Sequence, residues 1–316
     1  MINIALVIVT FNRIEKLKKT LLHYDQQTAG FSSLIVVNNA SNDGTDQYLS
    51  EWSNIKSTYK KYVINLPENM GGSGGFYEGQ KFALTLNPDW IYVADDDAYA
   101  DRDMIAEFYR FIEERNTDNI SAVCATVYNA DGSIAYEHRR YLRYKNYIKQ
   151  MMIPSCATDY EKAYFNIDLL SYVGSFLKVS ALLKIGLVNP RYFIYEDDSE
   201  HSLRLKKNGD ILCVPKMKII HDSGQNIAIA DEDVVVSWRD YYAIRNLLNK
   251  MVCHNIFTAI YITGAYVKKM LIRGKNMHKD ERRMICQALV DAWCDKLGKH
   301  KIYSPGWRIN KQDKYS

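Results

Sequence analysis

Four short apolar runs among the first hundred or so residues each break off into polar residues, and this repetition constrains the fold more than any other feature of the sequence. NIALVIV (3–9) runs into 10–13, SLIVV (33–37) into 38–43, YVINLP (62–67) into 69–75 and WIYVA (90–94) into 95–97. Between the runs the spacing is helical. Ile14, Leu17, Leu21 and Leu22 are expected to share one face over 13–25, and further helices are predicted near 45–52 and over 76–86. Strands alternating with helices predict an α/β fold, a mostly parallel sheet with helices on both faces. Ligands of such sheets bind outside the carboxyl ends of the strands. Four polar clusters at one sheet edge therefore predict a single site.

The last of these clusters, Asp95, Asp96 and Asp97, poses an electrostatic question. Three adjacent carboxylates repel one another unless they are solvated or surround a cation. A solvated loop is one reading, and a divalent metal held by oxygen ligands is the other. ENMGGSGGF (68–76) places four glycines in five positions, yet fits neither the Walker loop nor GxGxxG. Its glycines permit close backbone approach and are expected to cradle a diphosphate or a sugar. YEDDSEHSLR (195–204) puts Glu196, Asp197, Asp198 and Glu200 at a predicted helix start, with Gly209 as its end. The macrodipole alone favours carboxylates there, and a rigidly held general base would occupy the same position. His221, after an apolar strand, offers a nitrogen ligand suited to manganese.

After residue 120 the pattern is less regular. ISAVCATVYNADGSIAY suggests two strands around an Asp131-Gly132 turn, and 139–165, rich in Tyr, Arg and Lys, is expected to be a mobile loop region. LLSYVGSFLKVSALLKIG reads as a strand and then a helix, and ILCVPKMKIIHDSG as a strand pair leading to His221. From about 236 the patterns are long and helical without strand alternation. The expected division is 1–235 for the α/β domain and 236–316 for a carboxyl-terminal helical segment. A net charge of only +4 does not suggest nucleic acid as a partner. The six cysteines form no CxxC, which argues against a zinc ribbon or disulfide scaffold and suits a reducing cytosol. The apolar start is too short for a signal peptide.

VTFNR, VVNNASNDGT, NMGGSGGF, ADDDA, YEDDSEHSLR and HDSG occur in the order seen in family 2 inverting glycosyltransferases of the GT-A fold. The chain resembles especially the bacterial galactofuranosyl- and rhamnosyltransferase branch, over roughly residues 3–250. The resemblance implies that Thr10, Phe11, Asn12 and Arg13, with Asn38, Asn39 and Asp43, surround the base and ribose of a nucleotide-sugar. It brings Asn69, Gly71, Gly72, Ser73 and Gly74, up to Gly75, to the sugar nucleotide. Asp95, Asp96 and Asp97 would bind metal and ribose, with Asp95, Asp97 and His221 as metal ligands and Mn2+ or Mg2+ as the divalent metal. Asp198 aligns with the catalytic base, with Asp197 as the neighbouring alternative. Where many relatives carry Asp, this chain has Asn38.

The same resemblance implies transfer of galactofuranose from UDP-galactofuranose, with dTDP-rhamnose as the alternative donor, to a lipid-linked oligosaccharide of a cell-surface polysaccharide. Processive polymerisation is not expected. A non-catalytic sugar-nucleotide-binding protein is the reading of another class, but mere binding needs no base. From Arg245 onward the chain holds 15 Lys/Arg against 5 Asp/Glu, beside an apolar stretch. This excess suggests an anionic membrane surface as a partner and a cytoplasmic, peripheral location on the inner face of the cell membrane. A packed appendage or dimer contact is the other reading of that segment. Arg245 itself, in RDYYAIRN, is expected to face the diphosphate.

Overall fold

β1 (Ile4–Thr10) is buried along all seven of its residues, the mark of a strand covered on both faces. A computed structural model describes residues 2–145, 149–223, 234–274 and 277–310. The chain continues through α1 (Ile14–Asp25), β2 (Ser33–Asn38), α2 (Thr45–Asn54), β3 (Lys60–Asn65), α3 (Gly71–Leu84), β4 (Trp90–Asp95), β5 (Ala98–Ala100), α4 (Met104–Glu113) and β6 (Ile120–Asn129). Next come β7 (Arg139–Lys145), β8 (Lys149–Pro154), β9 (Phe165–Ile167), β10 (Leu169–Leu170), β11 (Ser175–Lys178), α5 (Val179–Ile185), α6 (Asp197–Asn208) and β12 (Asp210–His221). The last described elements are β13 (Val234–Ser237), α7 (Trp238–His254), α8 (Ile256–Arg273), α9 (Lys279–Trp293) and β14 (Arg308–Asn310).

The main sheet runs β3-β2-β1-β4-β11-β6-β12-β5. Its first four strands are parallel, β11 inserts antiparallel between β4 and β6, and β12 returns parallel to β6. Strand alternation divides two cores. Ile4, Leu6 and Ile8 face Leu17, Leu21, Leu49 and Phe108, whereas Ala5, Val7 and Val9 face Phe76, Ala83 and Leu182. A third core joins α7, α8 and α9 around Tyr241, Leu248 and Met284, and Phe193 reaches into it from the main domain.

Helix α3 lies unusually close to β1. A Cβ at Gly75 would stand 2.5 Å from Val9 Cγ1, and one at Gly79 would stand 2.3 Å from Val7 Cγ1. Four residues apart, these two glycines share a helix face and let its backbone approach the sheet.

Several sequence expectations are corrected here. The helix predicted from 76 begins at Gly71, because the glycines form its first turn rather than a loop. Leu22 leaves the expected apolar face and is mostly exposed. The expected mobile region at 139–165 holds a hairpin of β7 and β8, with β10 on its other edge. It is anchored by the buried Arg139, whose guanidinium donates to the carbonyls of Ala125, His138 and Val173; residues 146–148 lie outside the described residues. Around the Asp131-Gly132 turn the second strand reduces to one bridge, Tyr128 to Ile134. The strand pair before His221 is a single strand, β12, broken in register between Val214 and Lys218. The carboxyl-terminal segment is not free of strands, since β13 pairs with β14. Residues 275–276 and 311–316 of that segment, and Gly224 of the HDSG motif, lie outside the described residues.

The Gly79 contact is testable by thermal unfolding. Gly79→Ala pushes α3 off β1 and is expected to cost about 1–3 kcal/mol, as other overpacking changes do. Gly72→Ala, at an exposed site with open space around it, is expected to leave Tm unchanged or slightly higher. Equal effects of the two would remove the close-approach explanation.

Candidate active site

The sheet register sets the polar strand ends side by side. Thr10 stands opposite Asn38, Asn38 opposite Asn65, and Asp95 of β4 opposite Val9. Four of the predicted clusters therefore do meet at the carboxyl edge of one sheet. Within that edge the side chains divide into those that brace the site and those that open onto it.

Much of the amino-terminal cluster braces. Asn38 is buried, donates to Asn65 Oδ1 at 2.9 Å and accepts from the Ser41 amide at 3.0 Å. Asn39 donates to Asn69 Oδ1 and Gly71 O and accepts from the Met70 amide, so both of its donors are used within the protein. Asn12, at φ 52°, accepts from the Asn42 amide at 2.7 Å. Asp43 caps two helices at once, accepting from the amides of Ile14 at 3.0 Å and Thr45 at 3.3 Å. Burial is the largest single influence and raises its carboxyl, but those bonds and the Thr45 hydroxyl together bring it below the ordinary value. Phe11, by contrast, is 40% exposed and leaves a ring free on the site.

The carboxylate triplet is not a solvated loop. Asp96 and Asp97 are buried. Asp96 turns inward to accept from Thr10 Oγ1 at 2.7 Å, the Phe11 amide at 3.4 Å and Arg13 at 3.3 Å. Arg13 also donates to Asp97 Oδ2 at 2.7 Å, and Lys16 stands 3.8 Å from the same oxygen. Burial raises the Asp96 carboxyl to about 6 despite Arg13 and Thr10. Asp95 rises to about 7, through burial and its neighbour Asp97. Burial would raise Asp97 too, but His221, Arg13 and Lys16 together bring it below the ordinary value.

Asp95, Asp97 and His221 each offer one ligand atom, all within 4.8 Å of one another. Among the described residues Asp97 Oδ1 is buried without a hydrogen-bond donor in good geometry, and His221 Nε2 lies 3.3 Å from it. A buried, orphaned carboxylate oxygen is costly unless something binds it. Two carboxylates and an imidazole form a donor set that fits a divalent ion such as Mn2+ or Mg2+.

The glycine motif sits differently from its sequence expectation. Gly71, Ser73, Gly74 and Gly75 are buried against protein, and only Gly72 is open. A Cβ at Gly71, where φ is +74°, would lie 1.9 Å from Phe193 O. Ser73 donates through its amide to Phe193 O at 3.4 Å and through its hydroxyl to Pro190 O at 3.1 Å. The helix start is thereby fastened to the loop that leads into Asp197 and Asp198.

That loop carries backbone strain. Phe193, Tyr195 and Glu196 all have φ between 65° and 68°, a region that costs non-glycine residues of order 1–3 kcal/mol each. Asn246 of α7 holds it, donating to the carbonyls of Tyr192, Ile194 and Tyr195 at 2.9, 2.7 and 3.1 Å. Buried Lys250 pairs with Glu196. Arg245, expected at the diphosphate, is instead buried and donates to Tyr192 O and Gly298 O. Neither Asn246 nor Lys250 was singled out by sequence; their spacing of four on an apolar helix was the only signal.

Asp197 and Asp198 open α6 at the floor of a cleft of about 530 Å³, lined also by Arg140, Tyr195, Ser199 and Arg239. Burial and the neighbouring Asp198 push Asp197 well above the carboxylate range, and Asp95 adds to the rise. Asp198 is also raised by burial, but Arg140 and hydrogen bonds from Ser199 oppose it. Of the two, Asp198 is the better-stabilised anion. The two groups are linked through the start of β7, where the His138 ring meets His221 at 5.1 Å and Arg140 donates to Ser199 Oγ at 2.9 Å.

The sequence profile of Glycosyl transferase family 2 matches residues 5–176, more than half of the chain. The chain belongs to glycosyl transferase family 2. Galactofuranosyltransferase GlfT1 of Mycobacterium tuberculosis is 28% identical over 212 residues, 64% of this chain and 64% of that protein. The chain thus spans just under two thirds of the length of that relative. Among solved structures, S. aureus TarS 1–349 in complex with UDP-GlcNAc superimposes with a TM-score of 0.57 at 15% identity, covering 92% of this chain and 80% of that one. Mannosyltransferase PcManGT from Pyrobaculum calidifontis, in complex with GDP-Man and Mn2+, gives 0.55 at 14% identity, with 93% and 86% covered. The fold is GT-A, as the resemblance in sequence implied. The family 2 profile ends at 176, so α6 and the helix that clamps its entry lie outside the matched residues.

Glu200, one turn beyond the acidic pair, proves structural. It accepts from Arg204 at 2.8 Å through both oxygens and lies 3.3 Å from His254. Burial opposes these partners, yet they bring its carboxyl down to about 2. This stabilisation is therefore complete above the ordinary value of 4.5 and is lost as pH falls from there toward 2. Acid unfolding should lose about 3 kcal/mol over that window, and Glu200→Gln should flatten that part of the stability curve. Parallel curves for both proteins would contradict the assignment.

Proposed function

We propose that this protein is an inverting, metal-dependent glycosyltransferase that moves galactofuranose from UDP-galactofuranose to a hydroxyl of a lipid-linked oligosaccharide. The observation that carries the reading is the adjacency of two sites: an Asp95, Asp97 and His221 cluster that fits a divalent metal, and the Asp197–Asp198 pair in an open cleft. The likeness to GlfT1 supports the sugar, and a lipid-borne acceptor would set the reaction at the cytoplasmic face of the cell membrane.

In this reading Asp198 accepts the proton of the acceptor hydroxyl as its oxygen forms a bond to the anomeric carbon. The bond from that carbon to the diphosphate breaks on the opposite face, and the nucleoside diphosphate departs with the electron pair. Burial raises the Asp198 carboxyl, and Arg140 and the Ser199 hydrogen bonds oppose that rise and favour its anion. Burial and the neighbouring Asp198 raise the Asp197 carboxyl further than Asp198's, which makes Asp197 the poorer proton acceptor of the two in this reading. Asp95, Asp97 and His221 would hold the metal, which when bound supplies positive charge to the leaving diphosphate. Phe11 offers its exposed ring to the base. Asn38, Asn39 and Asp43 act behind it, shaping the loop through their internal bonds. Asn69 and the open Gly72 edge of α3 border the sugar side.

Two measurements test this. Asp198→Asn should lower single-turnover transfer by roughly 10²–10⁴-fold while donor binding stays near normal, and Asp197→Asn should cost less. Near wild-type transfer by Asp198→Asn with a dead Asp197→Asn would move the base to Asp197. Titration of UDP should weaken sharply on chelation of Mn2+, and His221→Ala should lose most of that metal dependence without a matching loss of Tm. Equal affinity and full activity after chelation would overturn the metal role. A panel of sugar nucleotides that favours dTDP-rhamnose would replace the donor.

A further inference from the structure

Helix α8 packs on its neighbours by one side only. Ile262, Tyr266 and Met270 join the helical core, while Thr258 and Ala259 are buried. On the other side Phe257, Leu271 and Ile272 are 66%, 76% and 73% exposed, with Ile260, Tyr261 and Val267 also largely open. Phe257, Ile260 and Tyr261 are three and four apart, as are Val267 and Leu271, and the exposed Gly264 joins the two groups into one stripe along a helix of 18 residues, about 27 Å long. Single exposed apolar side chains are ordinary on a protein surface, but a contiguous stripe of this length marks a contact with something else.

The charges beside the stripe identify its partner. Lys268, Lys269 and Arg273 stand at its carboxyl end. Strand β8 borders its other end, with the Lys149 ammonium over the Tyr261 ring at 5.1 Å and the Gln150 amide donating to Thr258 Oγ1 at 3.0 Å. The sequence contains no Asp or Glu between Asp240 and Asp280. A second copy of this face would therefore bring more cations and no carboxylate to meet them. A surface of lipid phosphates supplies the missing charge and an apolar layer beneath it. Among the described residues no helix is long and apolar enough to cross a membrane, so α8 suits the plane of the interface rather than a path across it.

We propose that the outer face of α8 is a docking surface for an anionic lipid bilayer, with its apolar stripe at the acyl boundary and Lys149, Lys268, Lys269 and Arg273 among the phosphates. The inference deepens the proposed function and rests on it only for the lipid-borne acceptor. α7, which runs into α8, lines the cleft through Ser237, Arg239 and Asp240 at its opposite end. Docking through α8 would thus hold the cleft at the surface where such an acceptor resides.

Co-sedimentation of the full chain with vesicles, in the absence of sugar nucleotide, tests the surface. Vesicles of phosphatidylcholine with added phosphatidylglycerol should bind it, vesicles of phosphatidylcholine alone should bind it more weakly, and salt should loosen the first. Phe257→Glu combined with Leu271→Glu should lower partitioning by about tenfold or more, since each change removes a large apolar contact. Phe257→Trp should keep it. Lys268→Gln, Lys269→Gln and Arg273→Gln together should remove the preference for the anionic lipid. UDP titration and Tm of each variant report folding separately. Binding by the glutamate variant equal to that of the wild type, or no wild-type binding to anionic vesicles at low salt, would overturn the proposal. So would a wild-type dimer in solution that the glutamate variant converts to monomer, which would assign the stripe to a second copy. Transfer to a soluble acceptor remains a separate measurement, so failure here and failure of the transferase reading are distinguishable.

Discussion

Burying like charges at the tip of a central strand is possible only if cations come with them, and Arg13 is the cation on which this structure most depends. It reaches from the turn between β1 and α1 to Asp96 and Asp97 at once. Two unit charges 4 Å apart interact by about 4 kcal/mol even at an effective dielectric constant of 20, so an unrelieved pair would open the strand end. Lys16 and His221 share the task from α1 and β12. One electrostatic requirement therefore ties together the end of β1, the start of α1, the tip of β4 and the end of β12. Among the described residues Asp97 Oδ1 has His221 beside it and no well-aligned donor, so this oxygen is the group the cations serve least.

On the other side of the site the constraint is conformational. Three left-handed residues aim the start of α6 into the cleft, and an isolated loop would relax out of that shape. Asn246 converts the strain into a fixed geometry by satisfying three carbonyls that the bent backbone cannot return to a helix or sheet. Lys250, buried against Glu196, adds a charge that is stable there only while the loop stays in place. Gly71 then joins this loop to the donor side by leaving room for the Phe193 carbonyl.

Period and punctuation made the first hundred residues legible. Each apolar run became a strand, and each polar cluster came to the same edge, because a buried parallel strand leaves its ending residues no other exit. The family resemblance carried Asp198 and His221 to positions that sit in or beside the site. What was not legible depended on partners far away in sequence. The glycines of 71–75 read as a ligand cradle, yet Val9 and Phe193 decide that most of them serve packing. Arg245 read as a diphosphate ligand because an arginine ordinarily seeks an anion, but backbone carbonyls at 192 and 298 claim it. The hairpin at 139–154 read as a loop because its many charged and aromatic residues hide alternation, and the burial of Arg139 has no local signature.

The clamp from α7 also determines what can be inherited as a unit. Most groups at the strand ends come from the first hundred residues and hold one another through contacts among themselves, with His221 of β12 joining them at Asp97. Asp197 and Asp198 lie a hundred residues later, and the helix that fixes their approach lies later still. Recombination between relatives can therefore exchange the strand-end edge only together with His221, and the start of α6 only if the 190–200 segment travels with Asn246 and Lys250. The boundary between the sheet and the helical segment along the chain is therefore not a boundary of the candidate site, whose most strained entrance is shaped from beyond it.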